Sequence, residues 1–430
     1  MQDIMNPDKF VKAMNNQTQM GLICSLRKHE LFEYVQRKVA AYYRTSLERN
    51  EPTTPRISTA VVGFNKSKKV FVLSNTLQFS ENGLLLADPP CILTDEVKYL
   101  IPSIPLPLCQ AEEPLKDLLA LMEGMFMHNF MSAVGILAGG LMSLHYLRIV
   151  EAFGSCPVIF AFSKDVDTGK TTSLKVLCNL FGVADSFHSS ITEAVLKRIL
   201  SQSTLPCVVD DVDSVRGIEK LAVRYFNGGA QTDSNGTYSP VTTFLCSANF
   251  VLGENARLAT RCLLVPFTLP SITPTTTDQY KYFESYVQVA IEASSGIGQL
   301  LAVGSKFVRE QDIVKDIYKK EVENVLRGKH PRLQSGYAAL LYMMHEILLL
   351  GGRHKTVEEM GCYFKDLMVP IIDDLVTLQE DKSHLYTFLC DVGKLIQVTS
   401  HEEVKTFINA STLHGDRLRG RLWCLAWSYW

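Results

Sequence analysis

An excess of charge of one sign is missing from this chain of 430 residues: 43 Lys and Arg stand against 45 Asp and Glu, a formal net charge of -2 at pH 7. That balance excludes a protein that coats nucleic acid through a global basic field, so any contact with a polyanion has to be local. Also missing are a CxxC pair and any His/Cys cluster at metal-ligand spacing, although the chain holds 11 cysteines. A structural zinc site is thereby excluded. Cys24, Cys156, Cys207, Cys246 and Cys262 are scattered, mostly inside apolar runs, and read as buried free thiols of a reducing, intracellular compartment. The stretch Met1 to Lys12 mixes charges early and lacks the apolar run of a signal peptide, which agrees with that compartment without separating cytoplasm from nucleus. Internal repeats and low-complexity tracts are absent as well.

One long uncharged run does occur. From Gly124 to Leu147 there is no Asp, Glu, Lys or Arg, a length sufficient to span a bilayer, and Gly135 and Gly139 form a GxxxG pair. His128, Asn129, Ser132, Ser143 and His145 interrupt it, so the expectation is a buried helix ahead of a core strand and no membrane span.

The length suits two or three domains. Residues 1–110 read as a charged helix, ELFEYVQRKVAAYYRTSL, followed by short β-rich runs with turn residues at Asn65 to Lys68 and Glu81 to Gly83. This is a small α+β region of hairpins, closed by a proline-rich linker at 101–109. Residues 111–275 open with helices from about Leu115 to Phe153. Apolar strands in CPVIFAFS, TLPCVVDD, VTTFLCSAN and RCLLVPF then alternate with helical stretches. That alternation predicts a mostly parallel, three-layer α/β core. Residues 276–430 turn helical, with GYAALLYMMHEILLL a buried helix and PIIDDLVTLQ an amphipathic one.

The chemistry concentrates at four places. After the first strand, Lys164, Asp165, Val166, Asp167, Thr168, Gly169, Lys170, Thr171 and Thr172 form a candidate phosphate-binding loop, of which Thr168 to Thr172 match the end of the pattern. Such a loop works because backbone N–H groups at a helix N-terminus converge on anionic oxygens. Gly169 would allow close backbone approach, Lys170 would bridge the β and γ phosphates of ATP, and the Thr171 hydroxyl would bind Mg²⁺. Lys164 stands where the full pattern has its first glycine. About forty residues on, a hydrophobic strand ends in Asp210 and Asp211. Carboxylates at the end of a parallel strand face the crevice where α/β sheets bind ligands, which suits Asp210 to Mg²⁺ through water and Asp211 to the attacking water. A solvated acidic turn capping the next helix is the alternative. Another apolar strand ends in Asn249, whose amide would position that water or sense the γ phosphate, unless it is only a turn residue. Arg257 and Arg261 precede the last strand, where a guanidinium can reach a phosphate, on a neighbouring subunit or not at all if the two are structural.

In this order GKTT, DD, SAN and R-x-x-x-R before LLVPF resemble the helicase-like ATPases of phage and plasmid replication modules. These are often found beside primase domains and are allied to superfamily-three helicases and AAA+ ATPases. VVGFNKSKKVFVLSNTLQF resembles that family's N-terminal hairpin region, and YFNGGAQTDSNGTYSP its glycine-bearing insert; the match runs loosely from Ser58 to Phe267. The resemblance implies an ASCE-type, AAA+-like P-loop NTPase core, ATP and Mg²⁺ as ligands, and a ring of like subunits with ATP between neighbours. It gives the finger role to Arg261, with Arg257 the second candidate, and the sensor role to Asn249. It also implies a single-stranded nucleic acid partner, yet the insert, expected as a hairpin aimed at a ring's pore, holds Gln231, Asp233 and Asn235 where relatives carry basic residues. Asp211 likewise stands where many relatives have Glu. Basic runs lie elsewhere, at 66–69, 328–332 and 415–421, the last beside Trp423, Trp427, Tyr429 and Trp430, and solvated faces are their default reading. A P-loop scaffold that binds nucleotide without hydrolysing it remains the alternative function.

Overall fold

The computed structural model describes residues 56–106, 108, 112–163, 165–212, 215–233, 236–248, 258, 260–269, 277–326 and 331–368, together with 30, 33, 34, 37 and 38. By internal contact the chain divides into Met1–Ser58 with Pro90–Ile92, and Thr59–Pro89 with Leu93–Trp430. Within the smaller unit the Ile57 N–H donates to the Pro90 carbonyl at 2.8 Å. The candidate site belongs entirely to the larger one.

The hairpin region expected from the β-rich runs is a three-stranded antiparallel meander, β1 (Gly63–Asn65), β2 (Val70–Val72) and β3 (Gln78–Ser80). Its register aligns Phe64 with Phe71 and Phe71 with Phe79, an aromatic row that buries one face. The first turn is chemically determined: Asn65 Oδ1 accepts from the Ser67 hydroxyl and the Lys68 N–H, and Lys69 takes a positive φ of 54°.

The helical stretch that follows is three helices: α1 (Glu113–Phe126), α2 (Phe130–Leu144) and α3 (Tyr146–Phe153). The breaks fall at Met127, whose φ is 49°, and at His145. Every residue of α2 from Ser132 to Leu144 is buried. The glycines that suggested a membrane helix dimer serve the sheet instead. A Cβ on Gly139 would stand 2.8 Å from Ile159 Cγ1, and one on Gly135 would stand 3.3 Å from Val265 Cγ1, both on strands of the central sheet. The uncharged run is thus accounted for by burial against the central sheet.

That sheet has five parallel strands: β4 (Val158–Phe162), β5 (Phe187–His188), β6 (Cys207–Val209), β9 (Phe244–Ala248) and β10 (Cys262–Pro266). Their spatial order is β10-β4-β9-β6-β5. Four of them coincide with the apolar runs read as strands. The edge strand β5 has only two residues, too short to leave a periodic signal. Between strands run α4 (Lys170–Leu180), α5 (Glu193–Gln202) and α6 (Val215–Tyr225), and the glycine-bearing insert forms the antiparallel hairpin β7 (Gln231–Asp233) and β8 (Gly236–Tyr238). Thr192 caps α5, its hydroxyl accepting from the Val195 N–H.

After the sheet the described residues are mostly helical: α7 (Thr277–Ala293), α8 (Ile297–Arg309), α9 (Lys319–Val325), α10 (Pro331–Leu350) and α11 (Val357–Tyr363). The buried helix GYAALLYMMHEILLL lies in α10, which packs along α2 and is pinned to β10 through Tyr337. The Tyr337 hydroxyl accepts the Leu264 N–H at 2.9 Å and donates to the Leu264 carbonyl at 3.2 Å. The amphipathic segment PIIDDLVTLQ and the basic run at 415–421 lie outside the described residues.

Candidate nucleotide site

In an open parallel sheet a ligand crevice forms at the carboxyl ends of neighbouring strands whose connections leave in opposite directions. From β4 the chain crosses to the far edge at β5, whereas from the adjacent β9 it crosses back to the other edge at β10. The switch therefore lies between β4 and β9. Three chemistry-bearing stretches open beside it: the loop after β4, the aspartates after β6 and the end of β9.

The loop from Ser163 to Gly169 folds by its own polar groups. The Ser163 hydroxyl accepts the Asp165 N–H at 3.1 Å, Asp167 takes a φ of 56° and Gly169 one of 94°. A left-handed residue just before Lys170 is where glycine is cheapest, and Gly169 is the N-cap from which α4 starts. Thr168 and Lys170 are buried, whereas Asp165, Val166 and Asp167 are exposed. Lys164 lies outside the described residues. The Lys170 ammonium reaches back into the loop, donating to the Asp165 carbonyl at 2.9 Å and to Thr168 Oγ1 at 3.4 Å. Burial pulls its pKa below the ordinary lysine value, and the carboxylates of Asp211, Asp210, Asp165 and Asp167 pull the other way.

On the neighbouring strands one network binds loop to acids. The Thr171 hydroxyl, on the first turn of α4, donates to Asp210 Oδ1 at 3.1 Å. Ser247, near the end of β9, donates its hydroxyl to the same oxygen at 2.6 Å and accepts the Asp211 N–H at 2.8 Å. Register explains the meeting. Cys246 pairs with Val209, so the next residue of each strand, Ser247 and Asp210, is level with the other. Asp210 is 8% exposed and Ser247 2%. Asp211 is exposed and carries a φ of 49°, an uncommon conformation for a residue with a side chain.

The structure thus brings Lys170, Thr171, Asp210 and Asp211 to one crevice, with half-buried Thr172 on the same first helical turn. Arg261 stands elsewhere. Its carbonyl accepts the Val158 N–H at the start of β4, so it lies at the opposite end of a five-residue strand from the loop, roughly 15 Å away. Its guanidinium sits 5.7 Å from the Phe226 ring centre and donates to Thr260 Oγ1 at 3.2 Å. Asn249 and Arg257 lie outside the described residues. Two residues of the crevice go unread in the sequence. Ser247 sits inside the SAN triplet whose signal was taken from Asn249, and Asn129 belongs to a helix junction with no motif at all. Among the described residues no three His, Cys, Asp or Glu side chains gather as a metal cluster.

Neither a protein-family model nor a curated protein matches the chain. Among solved structures it is similar to SCCmec type IV Cch, described as an active helicase, with a TM-score of 0.56 at 15% identity, over 91% of this chain and 72% of that one. The fold is helicase-like. The C-terminal region of NrS-1 in its apo A form aligns with a TM-score of 0.30 at 13% identity, over 73% of this chain and 80% of that one.

Proposed function

We propose that this chain binds and hydrolyses ATP as a helicase-like motor of the replication or mobile-element type. The observation that carries the reading is the Thr171–Asp210–Ser247 network beside Lys170, assembled at the switch point of a parallel sheet. A triphosphate placed at the N-terminus of α4 meets the free N–H groups of that helix and the Lys170 ammonium. Lys170 would exchange the Asp165 carbonyl for phosphate oxygens.

Four aspartates surround that one lysine, so the crevice is anionic before any phosphate arrives. A divalent cation resolves the conflict, and the hydroxyl of Thr171 and the carboxylate of Asp210, 3.1 Å apart, are hard oxygen donors suited to Mg²⁺. When bound, Mg²⁺ neutralises charge on the transferring phosphoryl group. Asp211 then orients or deprotonates the attacking water, with the Asn249 amide as its partner. Because Arg261 lies at the far end of its own sheet, its phosphate would be that of a neighbouring subunit, which implies a ring. Single-stranded nucleic acid is the polymer proposed, gripped outside the hairpin β7–β8, whose Gln231, Thr232, Asp233 and Thr237 bring no cation.

A non-hydrolysing scaffold is the second reading, favoured by the exposed Asp165 and Asp167 on the loop itself. Mg²⁺-dependent ATP turnover of the assembled protein separates them. Lys170→Ala and Asp211→Asn are expected to lower kcat/KM by about 100-fold or more. Equal inactivity of both variants and wild type ends the enzyme reading, and calorimetric ATP binding without turnover selects the scaffold.

A further inference from the structure

The junction between α1 and α2 touches the site from a side to which no role has been given. Asn129 is 4% exposed and sits between the loop and the exit of β10. Its Nδ2 donates to the Thr168 carbonyl at 3.1 Å and to the Thr268 carbonyl at 2.8 Å, while its Oδ1 accepts the Thr268 N–H at 3.1 Å. Next to it His128 Nε2 contacts the same Thr268 carbonyl at 2.8 Å. Phe126 closes the set: a Cβ on Gly169 would lie 3.1 Å from its ring. Met127, between them, holds a positive φ of 49°, a conformation that a non-glycine residue keeps only where its surroundings impose it.

We propose that Asn129 is a positioning residue that fixes the loop carrying Lys170 and ties it to the chain leaving β10. Both Nδ2 protons and one Oδ1 lone pair are used, two of the three bonds on the β10 exit and one on the loop. A buried amide bonded on both sides transmits a shift of one partner to the other, because breaking either bond strands a polar group away from water. Thr268 stands two residues beyond β10, on the path toward the helical region. A change in the loop on nucleotide binding therefore reaches that path through one side chain. The kinetic consequence rests on the nucleotide-site reading, whereas the physical tie does not.

Two variants of the full chain test the tie. Asn129→Ala removes all three bonds. Asn129→Asp keeps size and packing and can still accept the Thr268 N–H, but it cannot donate to either carbonyl. Amide hydrogen exchange of the apo protein is expected to speed up about tenfold at loop residues 165–169 in both variants, and at Thr268 in Asn129→Ala alone. His128→Ala, which removes an exposed ring, should leave loop exchange as it is in wild type. With ATP and Mg²⁺, KM should rise about tenfold in both Asn129 variants with a smaller change in kcat. Loop exchange equal to wild type in the folded Asn129→Asp protein overturns the proposal, as does a fall in kcat at unchanged KM, the mark of a lost folded fraction. Absence of turnover in wild type would remove the nucleotide reading alone, with the exchange data still deciding the tie.

Discussion

Ser247→Ala removes one oxygen atom and probes the whole crevice. The hydroxyl lost is a 2.6 Å donor to the Asp210 carboxylate, in the range of charge-assisted bonds, and it is also the acceptor of the Asp211 N–H. A bond to a charged group contributes about 1.5–3 kcal/mol, and an amide left without an acceptor costs about 1 kcal/mol or more. Thr171 still donates to Asp210, from the longer distance of 3.1 Å, and offsets part of the loss. The expected destabilisation is therefore about 3 kcal/mol, read from urea denaturation followed by circular dichroism. Turnover should suffer too, because the aspartates are no longer held at the end of β9. About 2 kcal/mol of lost positioning corresponds to roughly 30-fold in kcat/KM. Thr171→Ala addresses the same oxygen, so with neither donor left the double variant should lose more than the sum of the single losses, by about 1 kcal/mol. Stability within about 0.5 kcal/mol of wild type together with normal turnover would refute the reasoning, since a buried short bond to a carboxylate cannot be removed without cost.

Gly139→Ala places a methyl group against Ile159 and Leu245 in the sheet, and overpacking of about 2 kcal/mol should lower Tm by several degrees. Gly296→Ala, where nothing lies within 4 Å, should stay within about 0.5 kcal/mol in the same melts. His145 is buried beside Arg148, and burial with that neighbouring charge lowers its pKa from 6.5 to about 3. The unfolded chain then binds a proton between those values that the folded protein refuses, so stability falls as pH drops below 6.5, by roughly 3 kcal/mol at pH 4. Denaturation curves at pH 7 and pH 4.5 should show the loss in wild type and a smaller one in His145→Gln. An equal slope in both would place the titration elsewhere.

Motifs whose chemistry is local were readable as residues. GKTT after an apolar strand and DD at the end of another name their partners by type, and the fold places Lys170, Thr171, Asp210 and Asp211 around one crevice. The run from Gly124 to Leu147 was ambiguous for a physical reason: a helix buried on all sides and a helix in lipid need the same composition. Its packing on Ile159 and Leu177 distinguishes them. Asn129 was illegible because its partners lie 39 and 139 residues along the chain, and a single amide carries no periodicity. The edge strand β5 was missed for want of length.

What the amino-acid order determined by itself was the alternation of strands and helices, the breaks between them, and the kinds of side chain waiting at each strand end, because these depend on hydrophobic period and on backbone preferences of neighbouring residues. Strand order, the level meeting of Ser247 with Asp210, the separation of Arg261 from the loop, and the bonds of Asn129 were decided only by tertiary structure. Each is a contact between distant segments, settled by how a whole sheet pairs and what its helices must bury.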